Sequence, residues 1–331
     1  MKRYLVVSAI LVLSITCAAA KNVTIDNFVR AETDTAIRNV FKQIGFGAFH
    51  HQRSLAPLDN QAVIRQNRDT LYSTAVLDLS VPASLTFPDT GGRYMSMQVI
   101  NQDHYMFVLT KPGQYQLTKD KVGSRYAYVL VRTFLDPADP KDIAAANAVQ
   151  DGLKITGGGS GPFETPEWDQ DQLKSARDAL NTVAKLGFNT ALSYGSRDDT
   201  TPLQHLAGAA AGWAGLPAKN AFYEVKVVDK NDGTPHAVTV KNVPVDGFWS
   251  ITVYNKDGYI DKNDRGAYSF NNVTAKADKD GAITIHFGGC KDDRINCLPI
   301  SKGWNYTARM YQPRKEILNG SWTFPVPLPV K

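Results

Sequence analysis

Ile37, Val40, Phe41 and Ile44 recur at helical spacing, and the pattern predicts a helix over Glu32–Phe46 with Gly45 as its stop. From there to about Phe134 the apolar period shortens. Runs such as RYMSMQVI, YMFVLT and RYAYVLVRTF alternate with Gly, Pro and Asp turns, the texture of an antiparallel sandwich or barrel. A helix over Pro140–Leu153 closes this unit. Residues 156–168, TGGGSGPFETPEW, hold no periodic pattern and read as a linker or surface loop. Two further helices are predicted over Asp169–Leu186 and Pro202–Ala214, the second with a small-residue stretch from Gly208 to Gly212 that suits close packing. From Ala221 the β texture returns in FYEVKVV, FWSITVY and AITIHF. Asp232-Gly233, Asp257-Gly258 and Asp280-Gly281 are placed as tight hairpin turns, because Asp-Gly favours the positive φ angles such turns need.

The organisation that follows is a leader over 1–20, a helix plus β-sandwich domain over 21–155, the Gly/Pro-rich linker over 156–168, a helical segment over 169–215 and a β-sandwich domain over 216–331. The leader is a secretory signal peptide by pattern: Lys2 and Arg3 precede an apolar run from Tyr4 to Cys17 that is too short to span a bilayer, and Ala18-x-Ala20 offers the small side chains of a cleavage site. A lipoprotein with Cys17 at its new terminus is the alternative, against which stand the bulky Ile15 and Thr16. No later apolar stretch approaches the roughly 20 residues a spanning helix needs, so no membrane insertion is expected after the leader is removed, and a periplasmic or secreted location is.

Export bears on the cysteines. Without Cys17 the chain keeps Cys290 and Cys297, an even pair in an oxidising compartment, and a disulfide is expected. Metal binding by the two with His286 is the alternative, although zinc sites use tighter cysteine spacing and a fourth ligand. The formal charge of +5 falls to +3 when Lys2 and Arg3 leave, and the basic residues are interspersed with acidic ones, so no nucleic-acid footprint is present. No cofactor motif emerges. GGGSG lacks the Lys-Ser/Thr of a phosphate loop, and Pro162 stands where a nucleophile elbow needs glycine. Neither Gly-x-Ser-x-Gly nor His-Glu-x-x-His occurs. NKDGYIDKND fails the spacing of an EF-hand, which leaves an irregular calcium site around Asp257, Asp261 and Asp264 open.

NRDTLYSTAVLDLS followed by GGRYMSMQVINQDHY resembles the bacterial domain-of-unknown-function family numbered 1254. GFWSITVYNKDGYI, DRGAYSF and ARMYQPRKEILNGSWTFP resemble its usual partner, the family numbered 1214, through Phe248-Trp249-Ser250, Tyr254, Arg309-x-Tyr311-x-Pro313 and Leu318-x-Gly320-x-Trp322. The resemblance implies a mainly β, α+β chain of two jelly-roll-like antiparallel β-sandwich domains joined by a helical segment. It carries over no catalytic residue, because neither family has an assigned function.

Candidate chemistry centres on Asn67-Arg68-Asp69-Thr70-Leu71-Tyr72. Alternation places Leu71, Ser73, Ala75, Leu77 and Leu79 on a core face and Thr70, Tyr72, Thr74, Val76 and Asp78 on the other. One reading makes Asn67 and Asp69 the hydrogen-bonded corner of a turn, with Arg68 paired to a carboxylate. The other makes Asp69 a base or ligand anchor and Tyr72 a donor in a cleft of the N-terminal domain, joined by His104 as an acid–base group and by Asn67, Arg68, Tyr94, Tyr105 and Trp249 as ligand contacts. His50 and His51 are a further metal-ligand option without a third ligand nearby, and paired carboxylates for glycoside chemistry are legible only in space. The expected partner is a small or carbohydrate-like molecule. The rival is a non-catalytic envelope protein with an interaction role; the oligomeric state stays open.

Overall fold

The computed structural model describes residues 20–61, 64–291 and 294–330; the expected leader lies outside these apart from Ala20. Among the described residues the N-terminal half contains α1 (Phe28–Ile44), β1 (His50–His51), β2 (Thr70–Phe87), β3 (Met95–Asn101), β4 (Met106–Leu109), β5 (Gly113–Leu117), α2 (Lys119–Val122), β6 (Tyr126–Phe134), α3 (Pro140–Asp151) and β7 (Lys154–Gly159). Then come α4 (Gln170–Ala184) and α5 (Pro202–Ala211). The C-terminal half holds β8 (Ala221–Val227), β9 (His236–Val240), β10 (Trp249–Tyr254), β11 (Ser269–Asn271), β12 (Ile283–Phe287), β13 (Cys297–Leu298), β14 (Asn305–Tyr311), α6 (Lys315–Leu318) and β15 (Leu328–Pro329).

The architecture is mainly β with added helices, as expected. One long strand organises the N-terminal sheet. Residues 70–78 of β2 pair with β6, while residues 83–87 lie between β5 and β7, and the register shifts between Asp78 and Ala83. The strand thus bends over itself, and its two halves enclose a core of Leu77, Leu85, Met97, Val129 and Leu117. Each such side chain contributes about 1.5–3 kcal/mol through burial. The other face of β2, β6 and β3 carries Val76, Tyr128, Leu130 and Ile100, which pack with Ile37 of α1 and with Tyr194. Both faces are therefore covered, which is why Val76 and Asp78 are buried although the alternation sends them away from the first core.

The expected linker is corrected at its start: residues 156–159 belong to β7. Glycine makes this pairing possible. Gly157 has φ +74°, and a Cβ there would stand 2.7 Å from the Pro82 carbonyl oxygen. Periodicity is invisible in a strand that has one apolar side chain, Ile155, on the core and three glycines in succession. In α4, Asp169 caps the helix by accepting from the N–H groups of Asp171 and Gln172. The small residues of α5 and after it do allow close approach, since Tyr194 lies where any Cβ on Gly212 or Gly215 would be.

The C-terminal half is built on a pair of four-stranded sheets, β11-β10-β14-β8 and β13-β12-β9-β15, which enclose Trp249, Ile251, Phe287, Trp304 and Met310. The Asp-Gly turns are corrected in role. Gly233, Gly258 and Gly281 do have positive φ, but β8 and β9, and likewise β11 and β12, belong to different sheets. Asp257-Gly258 lies in a long excursion between β10 and β11 rather than in a two-residue hairpin. Cys290 and Cys297 are joined as expected, with Cα atoms 5.5 Å apart. No helix among the described residues is long and apolar enough to cross a membrane.

Candidate functional site between two sheets

The N-terminal sheet meets the C-terminal half through a polar row. Register places Tyr72 of β2 opposite Arg132 of β6, and Arg132 opposite Ser96 of β3, with Gln98 next on the same face. The outer face of the C-terminal sheet answers with a second row, Asn271 of β11, Ser250 of β10, Arg309 of β14 and Tyr223 of β8. Each row has a buried arginine on its central strand.

The polar corner before β2 joins the rows. Asn67 Oδ1 accepts the Asp69 N–H at 2.9 Å, while Asn67 Nδ2 faces Thr70 Oγ1 at 3.0 Å, Tyr311 Oη at 3.2 Å and Tyr72 Oη at 3.4 Å. Arg309 donates to the Arg65 carbonyl at 2.7 Å, to Tyr254 Oη at 2.7 Å and to Thr252 Oγ1 at 3.0 Å. Tyr254 in turn donates to the Gln66 carbonyl at 2.9 Å. Asp69 is fully buried, and its Oδ1 accepts from Asn271 Nδ2 at 3.3 Å. Burial raises the Asp69 carboxyl above the usual carboxylate range, opposed by the Ser250 hydroxyl, Arg309, Asn271 and Arg68.

Arg132 is 7% exposed. It donates to Gln98 Oε1 at 2.7 Å and to the Ala214 carbonyl at 2.9 Å, and its guanidinium lies over the Tyr72 ring at 5.7 Å. Tyr72, Tyr223, Tyr311 and Tyr94 surround it. Among the described residues neither Arg132 nor Arg309 has a carboxylate within ion-pair distance. Tyr94 closes one edge, its ring 5.3 Å from Tyr311 and 5.2 Å from Phe248. The same ring lines a cleft of about 550 Å³ together with Phe134, Phe248, Arg93 and Gln312. Tyr94 Oη and Ser96 Oγ are buried without a hydrogen-bond partner among the described residues, as are Asp69 Oδ2 and Ser250 Oγ.

Three expected residues therefore converge, Asn67, Asp69 and Tyr72, with Tyr94 at the rim. Asn67 and Asp69 do form the turn. Arg68 differs from expectation, for it donates to the Ala56 carbonyl at 3.1 Å and lies over the Tyr268 ring instead of pairing with a carboxylate. Three residues are corrected. His104 is fully buried at φ +62°, its Nε2 accepts the Ala214 N–H at 3.0 Å, and burial pushes its imidazole down to about 3, so it holds backbone rather than exchanging protons. Tyr105 stacks on His205 at 4.3 Å beside α5. Trp249 points into the C-terminal sandwich core, 5.8 Å from Phe324. Arg132, Tyr223, Ser96 and Gln98 were missed. The available signal was Arg132 itself, a charge inside the otherwise apolar run YAYVLVRTF.

The fold and seam define a bipartite α+β protein whose halves share one polar interface. In family terms, residues 46–157 match the model of a protein of unknown function, DUF1254, and residues 220–315 match that of another, DUF1214. The expected resemblance thus holds in both halves, in the expected order. Among solved structures, the VPA0106 protein from Vibrio parahaemolyticus is similar at 19% identity with a TM-score of 0.69, covering 93% of this chain and 98% of that one. That likeness shows a shared fold over nearly the whole length. A putative uncharacterized protein from Burkholderia cenocepacia matches at 15% identity and a TM-score of 0.49, over 92% and 88% of the two chains. No curated protein matches.

Proposed function

We propose that this is a protein acting outside the cytoplasm that binds a small molecule at the seam between its two sheets, rather than within the N-terminal unit alone. The leader pattern and the Cys290–Cys297 disulfide support export. The observation that carries the binding reading is the Asn67 side chain, which brings the hydroxyls of Tyr72 and Tyr311 together from opposite halves. Convergent polar groups among aromatic walls are what fixes the orientation of a bound small molecule. Tyr72 and Tyr223 keep partial exposure at the edge of this surround.

The test is a thermal-shift panel of monosaccharides and ring-bearing organic acids on the wild type and on Tyr72→Phe. A compound that stabilises the wild type, and does so less in the variant, supports the reading. A panel without any stabilising compound, or a shift unchanged by Tyr72→Phe, refutes it.

A further inference from the structure

Building on that seam, we infer that its ligand carries a carboxylate, received by Arg132, on a flat ring-bearing body. Arg132 sits at the centre of a buried row, yet its assigned partners are both neutral, an amide oxygen and a backbone carbonyl. These use two of the five N–H donors a guanidinium carries, and the remainder match the two oxygens of a carboxylate. A cation held inside a protein without a counter-charge is costly, and a ligand carboxylate supplies that charge where the chain supplies none.

A second observation points to the same place. Ser96 lies directly across the strands from Arg132 on the same face, is fully buried, and its hydroxyl has no partner among the described residues. The Tyr94 hydroxyl is its immediate neighbour, and the two make no hydrogen bond of good geometry with each other or with another described residue. One anionic oxygen on Arg132 could accept from such hydroxyls as well. The rest of the surround is aromatic: Tyr72, Tyr94, Tyr223 and Tyr311 offer ring faces that suit a planar apolar body over a hydrated polyol. Arg309 does not fill this role, because three of its five donors serve Arg65, Tyr254 and Thr252, and the chain's own Asp69 carboxyl lies beside it in the seam.

Benzoate and its neutral counterpart benzyl alcohol, titrated calorimetrically into the purified full-length protein, separate the possibilities. Benzoate is expected to bind at least tenfold more tightly than benzyl alcohol. Arg132→Lys keeps the charge but loses the fork, and should weaken benzoate at least tenfold and benzyl alcohol by much less. Ser96→Ala, a small substitution that keeps the fold testable if Arg132→Lys unfolds, should weaken benzoate several-fold. Equal affinity for the two probes would overturn the carboxylate assignment and leave the seam as a binding site. Benzoate binding unaffected by both variants would overturn it too, and so would binding of neither probe, while the seam reading is decided by its own thermal-shift panel.

Discussion

Asn67 is a side chain on which the union of the two halves can be measured. Replacing it with alanine removes the acceptor for the Asp69 N–H and a donor group whose two hydrogens face three hydroxyls. Two hydrogens sustain two full bonds, so three bonds disappear in all. At about 1 kcal/mol net for each, Asn67→Ala should destabilise by about 3 kcal/mol. Tyr311→Phe removes one of the three, for about 1 kcal/mol. If the Asn67–Tyr311 bond is the shared term, the double variant costs about 3 kcal/mol rather than 4, a coupling of about 1 kcal/mol. Urea unfolding followed by tryptophan fluorescence measures all four proteins, with the slope checked for constancy. Additive costs would refute the bond and, with it, the account of how Tyr72 and Tyr311 are held together.

Three further outcomes follow from the same geometry. Replacing Cys290 and Cys297 with serine frees a short loop and should lower stability by about 2.5 kcal/mol on the chain-entropy model, seen as the same loss when the wild type is unfolded in reductant. His104 is neutral in the fold at pH values where the unfolded chain is protonated, so its contribution is complete above about pH 6.5 and declines as the pH falls toward 3; at pH 4 the loss is on the order of 3 kcal/mol, and His104→Gln should flatten that acid limb. Asp69 has the opposite sign, because its raised pKa makes the folded state bind the proton more tightly. Its contribution is largest in acid and is lost as the pH rises above the ordinary carboxylate value, so the wild type should weaken relative to Asp69→Asn as the pH is raised from about 4 in chemical denaturation; parallel curves would refute the burial argument.

The sheets were legible because their chemistry is periodic. RYAYVLVRTF and FWSITVY announce buried strands through side chains that alternate or run apolar, and α1 through its four spaced apolar positions. β7 was not, because its pairing rests on glycines that approach the backbone of Pro82, and glycine carries no pattern. The Asp-Gly pairs mark positive φ correctly but say nothing about which sheet the next strand joins. The polar corner at Asn67 to Tyr72 could be located from the chain alone, whereas Arg309 and Tyr311 could not be joined to it, since the bond between Asn67 and Tyr311 spans most of the sequence. His104 was misread for a related reason: its partner is a backbone N–H at Ala214, and no side-chain motif signals that contact.

A seam of this composition has two physical explanations, and they differ in how completely its polar groups are served. If the polar faces serve only to register one sheet on the other, every buried group should be partnered, because each unpartnered one costs about 1–3 kcal/mol and gives no specificity in return. The Asn67 amide meets that standard, whereas Asp69 Oδ2 and Ser250 Oγ beside the Arg309 network do not. The row around Arg132 falls short as well: the neighbouring Tyr94 and Ser96 hydroxyls make no well-formed hydrogen bond among the described residues, and the guanidinium holds only an amide oxygen and a backbone carbonyl. His104 adds to the contrast. It fixes Ala214, whose φ is +63° and whose carbonyl receives Arg132, so two residues in the left-handed region are held in place to present one cation. Strain concentrated around an under-partnered charge is the arrangement expected of a preorganised binding group, and it assigns recognition to Arg132.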